Sequence, residues 1–245
     1  MSSEHMPGLR SMVRLVEPEW LDELPADDAR ARISRRDLCR INACMRNANT
    51  LAGILRTVDA RVQTRRLVEI GAGDGEFLLN VARRLSQHPG VGPASRDAVL
   101  VDRQSLLRQD TAAHFAQLHW NVQAIECDVQ NYLEPGVKRA GTMIANLFLH
   151  HFNTDQLRHL LRSACRQVSL FIAIEPRRSR LGWFFARQLR LIGCNAVTRH
   201  DAPISVRAGF LNFELSQLWP DSAEWTLTER RSGLFSHLFV AQKKY

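Results

Sequence analysis

The segment 67–77 constrains the fold of this chain more than any other, because it joins an apolar run to a glycine-rich turn. Residues 67–70 have the composition of a buried strand, and residues 71–75 run Gly-Ala-Gly-Asp-Gly. Glycine allows positive φ and lets a ligand approach the main chain closely, since no Cβ intervenes. The apolar spacing that follows predicts a helix over 75–85. The segment therefore predicts one strand–turn–helix unit of an α/β fold with a parallel sheet.

The charge of this turn indicates which ligand it suits. Glu69 precedes the first glycine, and Asp74 and Glu76 follow closely. Dinucleotide-binding turns have the pattern GxGxxG, but Glu76 stands where the third glycine would be. A pyrophosphate favours a neutral or positive helix N-terminus, whereas this acidic turn suits a sulfonium or an ammonium. The motif alone leaves an ordinary tight turn without a ligand as the alternative.

This segment resembles motif I of the class I S-adenosylmethionine (SAM)-dependent methyltransferases, which has the pattern hydrophobic-(Asp/Glu)-x-Gly-x-Gly-x-Gly. The resemblance implies that SAM is the cofactor and S-adenosylhomocysteine (SAH) the product. It also implies that Glu69 holds the ammonium of the methionine portion, directly or through water. The cofactor-binding turn would then consist of Gly71, Ala72, Gly73 and Gly75.

The rest of the chain alternates strands and helices in a way that predicts a parallel sheet with crossover helices. Strands are predicted at 67–70, 98–102, 122–127, 142–147 and 169–174, with a closing antiparallel pair at 226–231 and 234–241. Further helices are predicted from an N-cap at Asp27 or Asp28 through Met45, and at 49–60, 105–118, 154–165, 180–192 and 204–218, with an irregular segment before the last.

This arrangement is similar to the Rossmann-like, seven-stranded class I methyltransferase sheet, mostly parallel with a closing antiparallel hairpin. We expect a disordered N-terminus at 1–17, a helical lid at 18–61 and a SAM-binding domain at 62–245. At 245 residues the chain can bury a sizeable core as one such domain.

Acidic residues end the second and third predicted strands, where open parallel sheets bind ligands. Asp102 can accept hydrogen bonds from both hydroxyls of a ribose. In the family that the chain resembles, Asp128 would accept from the adenine amine, and the backbone N–H of Val129 would meet a ring nitrogen. Asp128 is also a good helix N-cap, and the two roles are compatible. Arg103 either packs on the adenine or is solvated.

The fourth predicted strand ends in the run 146–152, Asn-Leu-Phe-Leu-His-His-Phe. It resembles motif IV of small-molecule methyltransferases, which forms the wall between cofactor and acceptor, and so adds Asn146 to the cofactor site. It lacks the Asn/Asp-Pro-Pro-Tyr/Phe signature of enzymes that methylate nucleobase amines. We expect His150 or His151 to be the general base, since imidazole has an unperturbed pKa of about 6.5. The alternative is that both merely cap the strand. No third ligand lies at metal-site spacing, so we predict no metal.

Composition argues against several other classes of protein. The 33 Lys and Arg against 25 Asp and Glu give a charge of +8, but without a long basic block, so we consider nucleic acid an unlikely partner. Five cysteines without CxxC spacing favour a reduced, cytoplasmic protein with neither disulfides nor zinc. No apolar run reaches the ~18 residues that span a bilayer.

The acceptor is expected to be a small, apolar or aromatic molecule. The aromatic residues late in the chain either line a large apolar pocket or pack two helices together; they are Trp183, Phe184, Phe185, Phe210, Phe213 and Trp219. The basic, amphipathic segment 181–190 is suited to peripheral contact with an anionic membrane.

The segments 21–25 and 35–38 resemble bacterial methyltransferases found with type III polyketide synthases, which implies O-methylation of a phenolic or polyketide acceptor. Two alternatives remain: an RNA or protein methyltransferase, and a non-catalytic partner subunit with the SAM fold. The sequence does not predict the oligomeric state.

Overall fold

The computed structural model describes residues 12–58, 66–87, 96–134 and 141–244. Seven strands form one sheet in the order β3-β2-β1-β4-β5-β7-β6. Strands β1 to β5 are parallel, whereas β7 runs antiparallel between β5 and β6. This topology confirms the predicted sheet and its closing hairpin. The strands are β1 (Arg66–Ile70), β2 (Arg96–Asp102), β3 (Trp120–Glu126), β4 (Gly141–Asn146), β5 (Val168–Pro176), β6 (Trp225–Ser232) and β7 (Ser236–Lys243).

Nine helices are described in these residues, and they cover both faces of the sheet. Alternation along each strand sends side chains to opposite faces, so Met143 and Ile144 of β4 belong to different apolar clusters. The helices are α1 (Trp20–Glu23), α2 (Ala29–Met45), α3 (Asn47–Thr57), α4 (Glu76–Ser86), α5 (Gln109–Gln117), α6 (Val129–Tyr132), α7 (Thr154–Cys165), α8 (Arg180–Arg187) and α9 (Ala196–Ala208). Among the described residues, no helix has both the length and the apolarity needed to cross a membrane.

The predicted bounds of the last two helices were wrong. A helix was expected at 204–218, but α9 ends at Ala208 and the segment up to 219 forms turns. Asn195 begins α9 by accepting a hydrogen bond from Thr198 N–H at 2.9 Å, and the helix contains Pro203 despite the lost backbone donor. Packing of α9 against α1, α2 and α8 accounts for its position. The helix predicted at 180–192 ends at Arg187, and a 3₁₀ turn follows.

The N-terminal segment packs over the carboxyl edge of the sheet, as the predicted lid would. Asp28 caps α2, one of the two predicted N-caps. Residues 1–11 and 59–61 lie outside the described part of the chain. Residues 12–17, which were assigned to a disordered terminus, instead lie against α9. Leu15 N–H donates to Arg207 O at 3.2 Å, and the Arg14 guanidinium donates to Ala208 O at 2.8 Å.

Candidate active site

A cavity of about 950 Å³ opens at the carboxyl ends of β1, β2 and β4, beneath the N-terminal helices. Parallel strands of an open sheet place ligand sites at this edge. The cavity collects every residue that the sequence assigned to the cofactor and to the base except Gly75, which lies within the same turn. Glu19, the N-cap of α1, closes it from above together with residues of α1 and α2, among them Asp22, Cys39 and Asn42.

The three glycines of the turn after β1 are needed for different structural reasons. Gly71 adopts φ +66°, and a Cβ there would overlap the ring of Phe148. Gly75 adopts φ +78°, and its Cβ would lie 2.6 Å from Leu100 Cδ1. Gly73 has φ +56°, yet a Cβ there would meet nothing within 4 Å. Gly71 and Gly75 therefore allow the turn to pack, while Gly73 leaves open space in the cavity.

Asp102 braces this turn from the end of β2. Its Oδ2 accepts from Gly73 N–H at 2.9 Å, and its Oδ1 accepts from Gln104 N–H at 3.0 Å. A carboxylate has about four acceptor positions, so two remain for a ligand. The predicted contact with a ribose diol is therefore compatible with the structural role.

Glu69 is the most unusual group in the cavity. The side chain is 1% exposed, and its Oε2 has no hydrogen-bond partner among the described residues. Burial raises the pKa of Glu69 well above its ordinary value, and the charges of Asp74 and Asp102 raise it further. Buried polar atoms are nearly always paired in folded proteins. An unpaired carboxyl oxygen on a side chain that lines a cavity thus fits a ligand with a cationic donor.

The other predicted cofactor residues lie on the same side. Asp128 caps α6, with Oδ1 accepting from Gln130 N–H at 2.8 Å, so the predicted N-cap role is present. Val129 is buried and Arg103 is exposed, and both line the cavity. Contacts of Asp128, Val129 and Arg103 with an adenine remain predictions.

Asn146 ends β4 and belongs to an amide network that the sequence did not indicate. Its Oδ1 accepts from Asn47 Nδ2 at 3.1 Å, and its Nδ2 donates to Asn42 Oδ1 at 3.4 Å. Ser236 Oγ donates to Asn47 Oδ1 at 2.7 Å. The network fixes the floor of the cavity to the two lid helices α2 and α3.

The two adjacent histidines have opposite environments. His150 is 2% exposed, its Nδ1 lies 2.8 Å from Glu175 Oε2, and its Nε2 lies 3.4 Å from Glu19 Oε1. Burial lowers the pKa of His150, but the hydrogen bonds to Glu175 and Glu19 outweigh burial and raise the pKa to about 9. At neutral pH His150 is therefore a cation held between two carboxylates. It has no lone pair with which to accept a proton.

His151 is partly exposed and lines the cavity, with Nδ1 at 3.0 Å from Asp22 Oδ2. Burial raises the pKa of Asp22, but the hydrogen bond from His151 together with the positive charges of His151, Arg103 and His150 outweighs burial and holds that pKa below its usual value. A carboxylate can only accept, so Nδ1 carries the proton and Nε2 of a neutral ring carries the lone pair. This pairing has the geometry of a histidine oriented for proton abstraction.

Sequence reasoning missed Glu19, Asp22 and Glu175. Glu175 ends β5 as Glu69 ends β1, and this acid at a strand end was the available signal. Nothing local marked Glu19 and Asp22, since only folding of the N-terminal segment brings them to the histidines. Glu19, His150 and His151 place potential metal-ligand atoms within 4.8 Å of one another. The structure thus brings a third potential ligand, Glu19, to the two histidines, which the sequence analysis did not find. Glu175 and Glu19 engage the two ring nitrogens of His150.

Solved structures similar to this chain include several methyltransferases. An O-methyltransferase family protein from Burkholderia thailandensis gives a TM-score of 0.54 at 16% identity, over 90% of this chain and 64% of that chain. The plantazolicin methyltransferase BpumL, solved with a pentazolic desmethylPZN analog and SAH, gives 0.61 at 11% identity, over 89% of this chain and 92% of that chain. Magnesium protoporphyrin IX methyltransferase from Synechocystis, solved with SAM, gives 0.55 at 10% identity, over 86% of this chain and 84% of that chain.

These similarities confirm that the chain has the class I SAM-dependent methyltransferase fold, as its sequence resemblance predicted. The chain spans about two thirds of the Burkholderia protein. No protein-family model matches the sequence, and no curated protein matches it either.

Proposed function

We propose that this protein transfers a methyl group from SAM to a hydroxyl of a small aromatic acceptor, with phenolic or polyketide-type metabolites as the substrate class. The observation that carries the proposal is the buried Glu69, which lines the cavity beside the glycine turn and whose Oε2 lacks a partner among the described residues. SAM combines an ammonium with a sulfonium, and this acidic pocket suits both charges. Bound SAM supplies a methyl group on a good leaving thioether.

The residues of the cofactor half would hold SAM at several points. Glu69 would accept from its ammonium, Asp102 from its ribose hydroxyls and Asp128 from its adenine amine. Open space at Gly73 lets the ligand approach the main chain. Methyl transfer is an in-line displacement, so the protein contributes mainly proximity, alignment and a dry site.

The acceptor half would supply proton abstraction. A phenol must lose its proton as it attacks, and His151 Nε2 would take that proton while Asp22 holds the ring. Phe148, Phe152 and Leu21 give this part of the cavity apolar walls. A cavity of about 950 Å³ is at the upper end of ligand-pocket volumes, which is consistent with a cofactor and a small acceptor together.

The cytoplasm is the compartment that we propose for this reaction. All five cysteines are free thiols, as a reducing environment would keep them.

Calorimetric titration with SAM and SAH tests the cofactor. We expect micromolar binding by the wild type and at least a tenfold loss in Glu69→Gln and Asp102→Ala. Asp110→Asn is the matched control, because Asp110 is an exposed acid that pairs with Arg108 rather than lining the cavity. Absence of binding by the wild type would refute the proposal, and equal losses in all three variants would show that the acids act only through net charge.

A screen of phenolic acceptors with labelled SAM then tests the base. We expect His151→Ala to lower kcat by about 10²- to 10⁴-fold, the usual contribution of general acid–base catalysis, with SAM affinity unchanged. Asp22→Asn should lower kcat less, since it removes only the orientation of the ring. Full activity of His151→Ala would assign the proton to another group.

A further inference from the structure

Helix α8 turns its apolar face to solvent, contrary to the usual arrangement of an amphipathic helix. Gly182 and Ala186 are its buried residues, and they form the face that packs toward α9. Outside that face, Leu181, Phe184 and Phe185 are 50%, 56% and 48% exposed. These three apolar side chains therefore belong to neither core cluster.

The exposed apolar surface continues beyond α8. Phe185 meets Phe235 of the β6–β7 turn edge-on, with ring centroids 5.6 Å apart, and Leu234 in that turn is 53% exposed. Leu191 and Ile192, in the 3₁₀ turn after α8, are 80% and 52% exposed. We call this surface the α8 patch; its members are Leu181, Phe184, Phe185, Leu191, Ile192 and Leu234.

The chain segment that carries most of the α8 patch has charge of a single sign. Between Pro176 and His200 the sequence contains six arginines and no acid. Arg180, Arg187, Arg190 and Arg199 are exposed, and the Arg187 guanidinium lies 4.7 Å from the ring centroid of Trp183. Arg231 is exposed near Leu234, whereas Arg178 is buried in a salt bridge with Glu214.

We propose that the α8 patch docks this protein on an anionic lipid bilayer. Exposed Phe and Leu side chains can enter the headgroup–acyl boundary while the surrounding arginines meet lipid phosphates. A symmetric second copy is a poorer occupant, since it would bring arginines against arginines. A nucleic acid would use the arginines and the phenylalanines, but it would gain little from Leu181, Leu191 and Ile192, which offer no stacking surface.

The patch also lies close to the cavity. Pro176, the last residue of β5, lines the cavity, and α8 begins after the short segment 177–179. The β6–β7 turn lies at the same edge, because Arg177 N–H donates to Phe235 O at 2.7 Å. A docked protein would thus hold its cavity near the membrane, where a lipophilic acceptor partitions. This last consequence rests on the proposed function, whereas docking itself does not.

Sedimentation of the full chain with sucrose-loaded vesicles tests the docking. We expect binding to phosphatidylcholine vesicles that contain about 30% phosphatidylglycerol, because anionic lipids give the bilayer a negative surface potential. We expect little binding to vesicles of phosphatidylcholine alone. The double variant Phe184→Ser/Phe185→Ser should lower the partition coefficient at least about tenfold. Arg187→Gln/Arg190→Gln should lower it about tenfold or more and reduce its salt dependence.

The matched control is Phe213→Ser. Phe213 is 60% exposed, more than either phenylalanine of α8, but it is followed by Glu214 rather than surrounded by arginines. Its vesicle binding should equal that of the wild type. Thermal unfolding of each variant distinguishes a folding defect from a docking defect. SAM binding by each variant distinguishes failure of the docking proposal from failure of the cofactor assignment.

Several outcomes would overturn the proposal. They are equal binding to neutral and anionic vesicles, equal loss in Phe213→Ser, absence of vesicle binding by the wild type, and a shift from dimer to monomer in Phe184→Ser/Phe185→Ser. Binding of single-stranded RNA that is lost in Phe184→Ser/Phe185→Ser, without any vesicle binding, would likewise assign the α8 patch to nucleic acid instead.

Discussion

Two buried glutamates at the carboxyl edge of the sheet differ in how their oxygens are satisfied. Glu175 accepts from the backbone N–H groups of Phe148 and Leu149 at 3.1 and 2.9 Å, and from His150 Nδ1 at 2.8 Å. Glu69 leaves Oε2 without a partner among the described residues. Both are essentially inaccessible to solvent, so burial alone does not distinguish them.

This difference in hydrogen bonding distinguishes Glu175, which stabilises the fold, from Glu69, which is suited to binding a ligand. The hydrogen bonds of Glu175 organise the turn after β4 and, through His150, fasten Glu19 of the lid. Glu69 Oε2 holds no other group among the described residues. The pKa of Glu69 is raised because its burial is not offset by enough hydrogen bonds or positive charge. The two glutamates are equally buried but differ in the hydrogen bonding of their carboxyl oxygens. We therefore expect mutations of the two to change protein stability differently.

Removing each carboxylate gives the largest expected contrast. Glu175→Ala should lower the free energy of unfolding by about 3–5 kcal/mol, because it leaves a buried histidine cation and two backbone donors without an acceptor. Glu69→Gln should leave stability unchanged or raise it, since it replaces a carboxyl that burial already disfavours as an anion. Urea unfolding of both variants measures the contrast. Similar destabilisation of the two variants would contradict the distinction between Glu175 and Glu69.

The pH dependence of stability sharpens the same comparison. The pKa of His150 is about 9 in the folded protein and 6.5 ordinarily, so its contribution is complete below pH 6.5 and is lost as the pH rises through 9. The shift corresponds to about 3 kcal/mol. We expect the free energy of unfolding to fall by up to that amount between pH 6.5 and 10.

Variants identify the source of this dependence. His150→Gln should flatten the profile, and Glu19→Gln should weaken it, because Glu19 supplies part of the raised pKa. A wild-type profile that persists in His150→Gln would assign the alkaline loss to other groups.

The smallest expected effect lies at Glu69. Its raised pKa favours the protonated carboxyl, whereas a bound ammonium favours the carboxylate, so SAM binding should release protons and strengthen as the pH rises. Calorimetry near pH 7 in buffers of different ionisation enthalpy measures the release. Glu69→Gln should release less, and unchanged release in that variant would place the proton elsewhere.

The parts of the fold that follow from local pattern could be predicted. The glycine turn, the end of β2 at Asp102, the acid Asp128 just after β3, and the closing hairpin are each encoded within a few adjacent residues, because side-chain alternation and positive φ are local properties. Helix α9 was misplaced because its position depends on packing against α1, α2 and α8, which the segment itself does not record.

The sequence by itself determined the fold class and the acidic, glycine-rich half of the site. Only the tertiary structure decided between the two histidines, since Glu19, Asp22 and Glu175 come from separate segments of the chain to make His150 a buried cation and to orient His151. It also decided that the apolar face of α8 points to solvent. Charge and solvent exposure depend on which distant segments meet, and this information lies in the packed chain rather than in any one motif.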